Sequence, residues 1–267
     1  MSKAVVGSVV TFNPSWPLLQ TTIRSFLASW PEASVVVWDN SPTDTTSDKL
    51  KIFGDKVSYL KSPGNLGYGT GHNAVFNHVK GYCQYFAILN PDLEIPPDSI
   101  GRLINYLDEH PHFGMASGSI YGLDGKPHAV HKPAPTFWKY LRILLGRKFH
   151  SLALSKEVEN PFFPLPNHPV QIPVISGCFM LFKADHYREL GGFDERFFLY
   201  FEDYDLSLRS FNMGKSIVVP EVKISHNWER ASHKRMNLLL IHLRSAIAFY
   251  CKWGFGSKLR NRTPSPK

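Results

Sequence analysis

AVVGSVVTFNPS, residues 4–15, reads as a buried strand of Val and small residues (Ala4–Phe12) closed by a turn, Asn13-Pro14-Ser15. Outward from it, Leu18 to Trp30 carries apolar residues at 18, 19, 23, 26, 27 and 30, the spacing of an amphipathic helix, and Pro31 closes it. SVVVWDN (Ser34–Asn40) predicts a second strand and KVSYLK (Lys56–Lys61) a third. CQYFAILN (Cys83–Asn90) predicts a fourth, ending at Asn90-Pro91-Asp92. Between the third and fourth, GNLGYGTGHN (Gly64–Asn73) opens a helix that runs to about Lys80. Strands alternating with helices define an α/β fold with a doubly wound, mostly parallel sheet and right-handed crossovers. Ligands of such sheets bind beyond the carboxyl ends of the strands. Asn13, Asp39, Asn65 and Asp92 fall at or just after those ends.

The pattern is interrupted by Pro-rich and basic text at 126–173, expected as a surface insertion with a helix near 137–149. It resumes with a strand at Val174–Lys183, a short helix and Gly turn at 184–193, a loop running into a helix at 197–214 and strand text at 216–227 ending at His226. Gly214 suits the position after a helix end. Leu239, Leu240, Leu243, Ala246, Ile247, Tyr250 and Cys251 predict a last amphipathic helix. This organises the chain as one catalytic domain, 1–235, followed by a basic amphipathic helix and tail, 236–267.

The net charge of +8 is unevenly placed. Residues 222–267 hold ten Lys or Arg and one acid, whereas the 221 residues before them hold 20 basic and 21 acidic groups. A basic tail on a neutral body does not suit a nucleic-acid binder, and none is expected as a partner. It suits an anionic surface such as the inner face of a cell membrane. Three widely spaced cysteines, Cys83, Cys178 and Cys251, form no CxxC pair and suit a reducing, cytoplasmic compartment. No signal peptide and no run of apolar residues long enough to span a membrane is read from the sequence.

Several motifs carry chemistry weakly on their own. Gly67, Gly69 and Gly71 make GxGxG, which is neither the dinucleotide fingerprint nor a P-loop. It is a plain turn or a ligand loop. Asp92 is a strand-end carboxylate that could hold a hard cation against a diphosphate, or simply a turn former. In FEDYDLSLR (Phe201–Arg209), Asp205 pairs with Arg209 at helical spacing, while Glu202 and Asp203 follow an aromatic wall that would raise a carboxyl pKa. A lone histidine such as His226 is more often structural than a ligand.

Taken in order, VTFNP, VWDN, GNLGYGTGHN, LNPDLEIPPDSI, SGCFMLFK and GGFDERFFLYFEDYDLSLR, then a His before a polar run, resemble glycosyltransferase family 2, over about Val5 to Ser232. The similarity is to its bacterial rhamnosyltransferase-like branch, which works in O-antigen and related surface polysaccharide assembly. The resemblance implies a GT-A fold, with a nucleotide-binding N-terminal half and an acceptor-binding C-terminal half. It also implies an inverting, metal-dependent transfer of a sugar from a nucleotide-diphosphate donor to a hydroxyl of a glycan or lipid-linked glycan. By this resemblance Thr11, Asn13, Asp39, Asn65, Gly67 and Asn73 contact the nucleotide. Asn90-Pro91-Asp92 replaces the family's DxD, with Asp92 and His226 holding Mg²⁺ or Mn²⁺. Asp203 is then the catalytic base with Glu202 beside it, and Glu202 and Gly177 face the acceptor. The branch implies dTDP-rhamnose as donor and a peripheral position on the inner membrane face. A UDP-sugar donor and a non-catalytic sugar-binding protein remain as alternatives. A nucleotidyltransferase does not fit, because its GxGxR-type signature is missing near the first strand.

Overall fold

A computed structural model describes residues 3–138, 140–141, 160–227 and 236–255. Eight strands form one sheet: β1 (Val5–Thr11), β2 (Ala33–Asp39), β3 (Val57–Lys61), β4 (Tyr85–Leu89), β5 (Leu93–Glu94), β6 (Met115–Tyr121), β7 (Phe179–Lys183) and β8 (Ser216–His226), in the order β3-β2-β1-β4-β7-β6-β8-β5. The first four are parallel to their neighbours, as the alternation predicts. β7 then enters antiparallel between β4 and β6, β8 runs parallel to β6, and β5 pairs antiparallel with β8. Strand order reverses between β1 and β4, and the crevice beyond their carboxyl ends is where such a sheet takes its ligand.

Every residue of β1 is buried, because helices cover both faces of the sheet. Val5 and Val9 point to a cluster with Leu19, Ile23 and Phe26 of α1 (Trp16–Ala28) and Leu103 and Leu107 of α4 (Ser99–Glu109). Val6 points the other way, toward Val75, Phe76 and Val79 of α3 (Tyr68–Val79), Tyr187 of α5 (Ala184–Leu190) and Leu206 of α6 (Glu202–Asn212). A one-turn α2 (Ser47–Leu50) lies between β2 and β3. Outside α6 lies α7 (Met236–Trp253), whose Ala246, Phe249 and Tyr250 pack with Phe197, Phe201 and Leu208. Each such fully buried aromatic contributes about 2 kcal/mol of apolar burial.

The sequence pattern predicts no element over 95–125, yet α4 and β6 lie there. β6 is MASGSIY, whose small residues carry no apolar alternation although six of its seven positions are buried. The strand expected over Val174–Lys183 begins only at Phe179. Val174 makes an isolated bridge to Lys132, and 175–178 is left to form a turn at the site. Most of the helix expected near 137–149, and the 235/236 boundary, lie outside the described residues.

Candidate active site

Four strand ends (β1, β2, β4 and β8) and two helix starts (α3 and α6) come together here. At the end of β2, Asp39 is fully buried and surrounded by donors. Its Oδ1 accepts from Thr11 Oγ1 (3.1 Å), the Ser41 amide (2.9 Å) and the Ser41 hydroxyl. Its Oδ2 accepts from Tyr59 OH (2.9 Å), with Lys61 Nζ at 3.8 Å. Asn13, just past β1, is exposed in a left-handed conformation, and its amide donates to Ser41 Oγ (2.7 Å). Neighbouring Asn40 ties this edge to the Gly-rich loop: its Oδ1 accepts from Trp38 Nε1 (3.0 Å) and its Nδ2 donates to the Gly67 carbonyl (3.0 Å).

In that loop, Asn65 is exposed and its Oδ1 accepts from the Gly67 amide (3.1 Å). Gly67 adopts φ 91°, and a Cβ there would lie 2.3 Å from the Phe198 carbonyl oxygen, so only glycine allows this approach. Asn73 is placed differently from the expectation of a nucleotide contact. Its Nδ2 donates to the Phe193 carbonyl (2.9 Å) and Glu195 Oε1 (3.0 Å), and its Oδ1 accepts from Tyr187 OH and the Phe193 amide (both 2.9 Å). Its side chain therefore staples α3 to the turn before α6.

Asn90, Asp92 and His226 come together from opposite ends of the chain. His226 Nε2 lies 3.1 Å from Asp92 Oδ1 and 3.3 Å from Asn90 Nδ2. The pairing follows from β5 and β8 being antiparallel, with Leu93 opposite His226. Among the described residues no three His, Cys, Asp or Glu side chains cluster as a complete metal-binding set. Asp92 and His226 could supply two ligands to a divalent cation, with other groups completing its coordination.

Across the crevice, Glu202 and Asp203 open α6. Asp203 Oδ2 accepts from the Gly177 amide (3.1 Å) and its Oδ1 from the Tyr204 amide (2.9 Å). A Cβ on Gly177 would fall 2.9 Å from Asp203 Cβ, so the group that packs closely on this glycine is the Asp203 side chain. Burial raises the Asp203 carboxyl above its ordinary value, opposed by the Lys132 ammonium and the two amides. Burial raises Glu202 much further, reinforced by the charge of Asp203. Glu202 is buried and its Oε2 has no hydrogen-bond partner. The turn that presents both acids is strained: Tyr200 and Phe201 have φ of 70° and 67°, at a cost of roughly 1–2 kcal/mol each.

Tyr68, at the start of α3, joins the two sides. Its hydroxyl lies 2.7 Å from the Gly177 carbonyl and 3.1 Å from Asn90 Oδ1, and burial keeps it protonated as a donor. Sequence reasoning missed Tyr68, Asn40, Ser41 and Lys132. The first three stand inside or beside motifs that were noticed, whereas Lys132 lies in the Pro-rich insertion with no motif around it. A separate groove of about 690 Å³, lined in part by Lys3, Asp108, Lys183 and Lys215, opens at the amino ends of β1 and β4, away from this site.

Residues 8–191 match the sequence profile described as glycosyl transferase family 2. The chain is 28% identical over 244 residues to an N-acetylglucosaminyl-diphospho-decaprenol L-rhamnosyltransferase of Mycobacterium tuberculosis, covering 85% of this chain and 77% of the relative. Among solved structures it is similar to GalNAc-T7 with UDP, GalNAc and Mn²⁺ (TM-score 0.65, 17% identity), covering 86% of this chain but only 44% of that one. It is also similar to the mannosyltransferase PcManGT of Pyrobaculum calidifontis with GDP-Man and Mn²⁺ (TM-score 0.60, 16% identity), covering 98% of this chain and 74% of that one.

Proposed function

Because the chain belongs to glycosyltransferase family 2, we propose that it moves L-rhamnose from dTDP-rhamnose to a hydroxyl of a lipid-linked glycan, with inversion, in surface polysaccharide assembly. The observation that carries this reading is one continuous contact path. Asp92, His226, Asn90, Tyr68, Gly177 and Asp203 follow one another at 3.1, 3.3, 3.1, 2.7 and, through the Gly177 amide, 3.1 Å. It sets a pair suited to a diphosphate-bound cation opposite a pair suited to deprotonating a hydroxyl.

Mg²⁺ or Mn²⁺ held by Asp92 and His226 would neutralise the charge that builds on a leaving nucleoside diphosphate. Asp203 takes the proton of the acceptor hydroxyl as its oxygen bonds to the anomeric carbon, while the bond from that carbon to the diphosphate oxygen breaks. Asp39, Thr11 and the Asn65–Gly67 loop line the nucleotide side, and Glu202 lines the acceptor side. The rhamnose and lipid-linked assignments rest on the name of the mycobacterial relative.

A panel of nucleotide sugars assayed for hydrolysis and transfer, with Mg²⁺ or Mn²⁺ and with EDTA, tests the reading. dTDP-rhamnose is expected to be the preferred donor, and Asp92→Ala to abolish turnover and weaken donor binding in a folded protein. Near-normal turnover of that variant in EDTA would remove the metal role.

A position at the inner membrane face is supported by α7. No helix among the described residues is long and apolar enough to cross a membrane. The outer side of α7 and its surroundings nevertheless expose Leu240, Ile247, Phe255 and Trp138 beside Arg244. Each basic side chain near an anionic surface contributes about 1 kcal/mol. Lys252 does not belong to this set, because it is ion-paired to Asp194 and Asp205. Cosedimentation with anionic vesicles at low salt, reversed at high salt and weakened by neutralising Lys258, Arg260 and Arg262, is the expected outcome. Equal binding to neutral vesicles would refute it.

A further inference from the structure

Glu202 and Asp203 are bracketed by two segments, and α7 holds both. On the upstream side, Ser245 Oγ donates to the Leu199 carbonyl (2.8 Å). The His242 ring lies 4.9 Å from that of Tyr200 and 5.4 Å from that of Phe201, and Phe249 lies 5.1 Å from Phe201. These contacts fall on the two left-handed residues that aim the acids. On the downstream side, fully buried Asp205 receives Trp253 Nε1 (2.8 Å) and Lys252 Nζ (2.6 Å) on Oδ1, and Arg209 Nε (2.9 Å) on Oδ2. Lys252 also reaches Asp194 (2.7 Å), and Arg209 donates to the Gly192 carbonyl (2.7 Å), so the turn before the acids is tied to the same knot.

A left-handed pair of non-glycine residues persists only where its surroundings over-determine it. Here those surroundings include α7, more than 30 residues after the pair in sequence. We infer that α7 is a positioning element of the active site: through Lys252, Trp253 and Ser245 it holds residues 199–205 so that Asp203 and Glu202 face the acceptor. This rests on Asp203 being the base. None of the three residues touches substrate, and their effect passes through Asp205 and Leu199. Misplacing a reacting group by as little as about 1 Å costs up to about 10²-fold in rate.

The test compares wild type with the double variant Lys252→Met/Trp253→Phe, with Ser245→Ala and with Lys252→Arg. Transfer kinetics and amide hydrogen exchange of the full chain are measured on each. The double variant is expected to lose about tenfold in kcat with donor KM within about twofold, the split that marks a loss felt only in the transition state. Its amides over 199–206 should exchange faster while those of β1 and β4 do not. Ser245→Ala should show the same pattern more weakly, and Lys252→Arg should keep most of the wild-type rate. A kcat within twofold of wild type in the double variant overturns the proposal, and so does exchange accelerated evenly along the chain. If wild type turns over no nucleotide sugar, the catalytic reading fails. Exchange at 199–206 then still decides by itself whether α7 holds the segment.

Discussion

Asp39 and Glu202 are both buried carboxylates at one crevice, at 0% and 6% exposure, yet they are built in opposite ways. Asp39 receives four hydrogen bonds from Thr11, Ser41 and Tyr59, with Lys61 nearby. Glu202 has an oxygen with no partner and a second carboxyl next to it. Burial is the same, so the difference lies in the supply of donors. A carboxylate rich in donors is a fixed acceptor that shapes the crevice wall. A carboxyl poor in donors, as Glu202 is, is held away from its most stable state, and under the proposed function an incoming hydroxyl would supply the missing partner. Stability is concentrated at one wall and given up at the other.

The largest effect that would sharpen this contrast is expected at Asp203. Asp203→Asn should lower kcat by at least about 10²-fold with donor affinity little changed, measured by steady-state transfer kinetics. A larger loss in Glu202→Gln would move the base to Glu202. Asp39→Asn should behave in reverse. It turns a fully buried acceptor into a donor facing Tyr59 and Lys61, and such a mismatch at a buried group costs about 2 kcal/mol. Thermal unfolding should therefore shift down by about 5 °C, and donor KM should rise more than kcat falls. Equal kcat losses at Asp39 and Asp203 would break the comparison.

The smallest effect concerns pH. The folded-state pKa of Glu202 is raised by burial above the ordinary value of 4.5. A raised acid contributes stability that is fully present below the unfolded-state pKa and is lost as pH rises through the folded-state value. At neutral pH and above, Glu202→Gln is therefore expected to melt about 2 °C higher than wild type, with the gain vanishing below about pH 4.5. With Asp203 as the base, burial that raises its own carboxyl places the acid limb of the kcat profile above the ordinary carboxylate range. A Glu202→Gln variant that melts lower at pH 8 would show that the charged form is stabilised after all.

Much of this site is legible in the chain. Asn13, Asp39, Asn65 and Asp92 could be placed at one edge because the apolar runs mark where strands of an α/β sheet end. The Asp205–Arg209 pair was found because helical spacing makes residues four apart neighbours, and it forms at 2.9 Å. The bonds of Asn73 were not legible, because its partners, Tyr187 and the Phe193–Glu195 turn, lie more than 110 residues away. Nothing near Lys252 in sequence is acidic, so its ion pairs are not legible there. In the fold it faces Asp194 and Asp205.

The sequence by itself determined the local physics: which runs are strands, where they end, and which polar groups stand at those ends. Apolar periodicity and turn chemistry act over a few residues, so they can be read from a few residues. Only the tertiary structure decided that His226 meets Asp92 across 134 positions and that Tyr68 reaches Gly177 across 109. It alone left one oxygen of Glu202 without a partner while supplying Asp39 with four. Desolvation and hydrogen bonding act through space, and a carboxyl's charge state is set by what the fold packs around it rather than by its sequence neighbours.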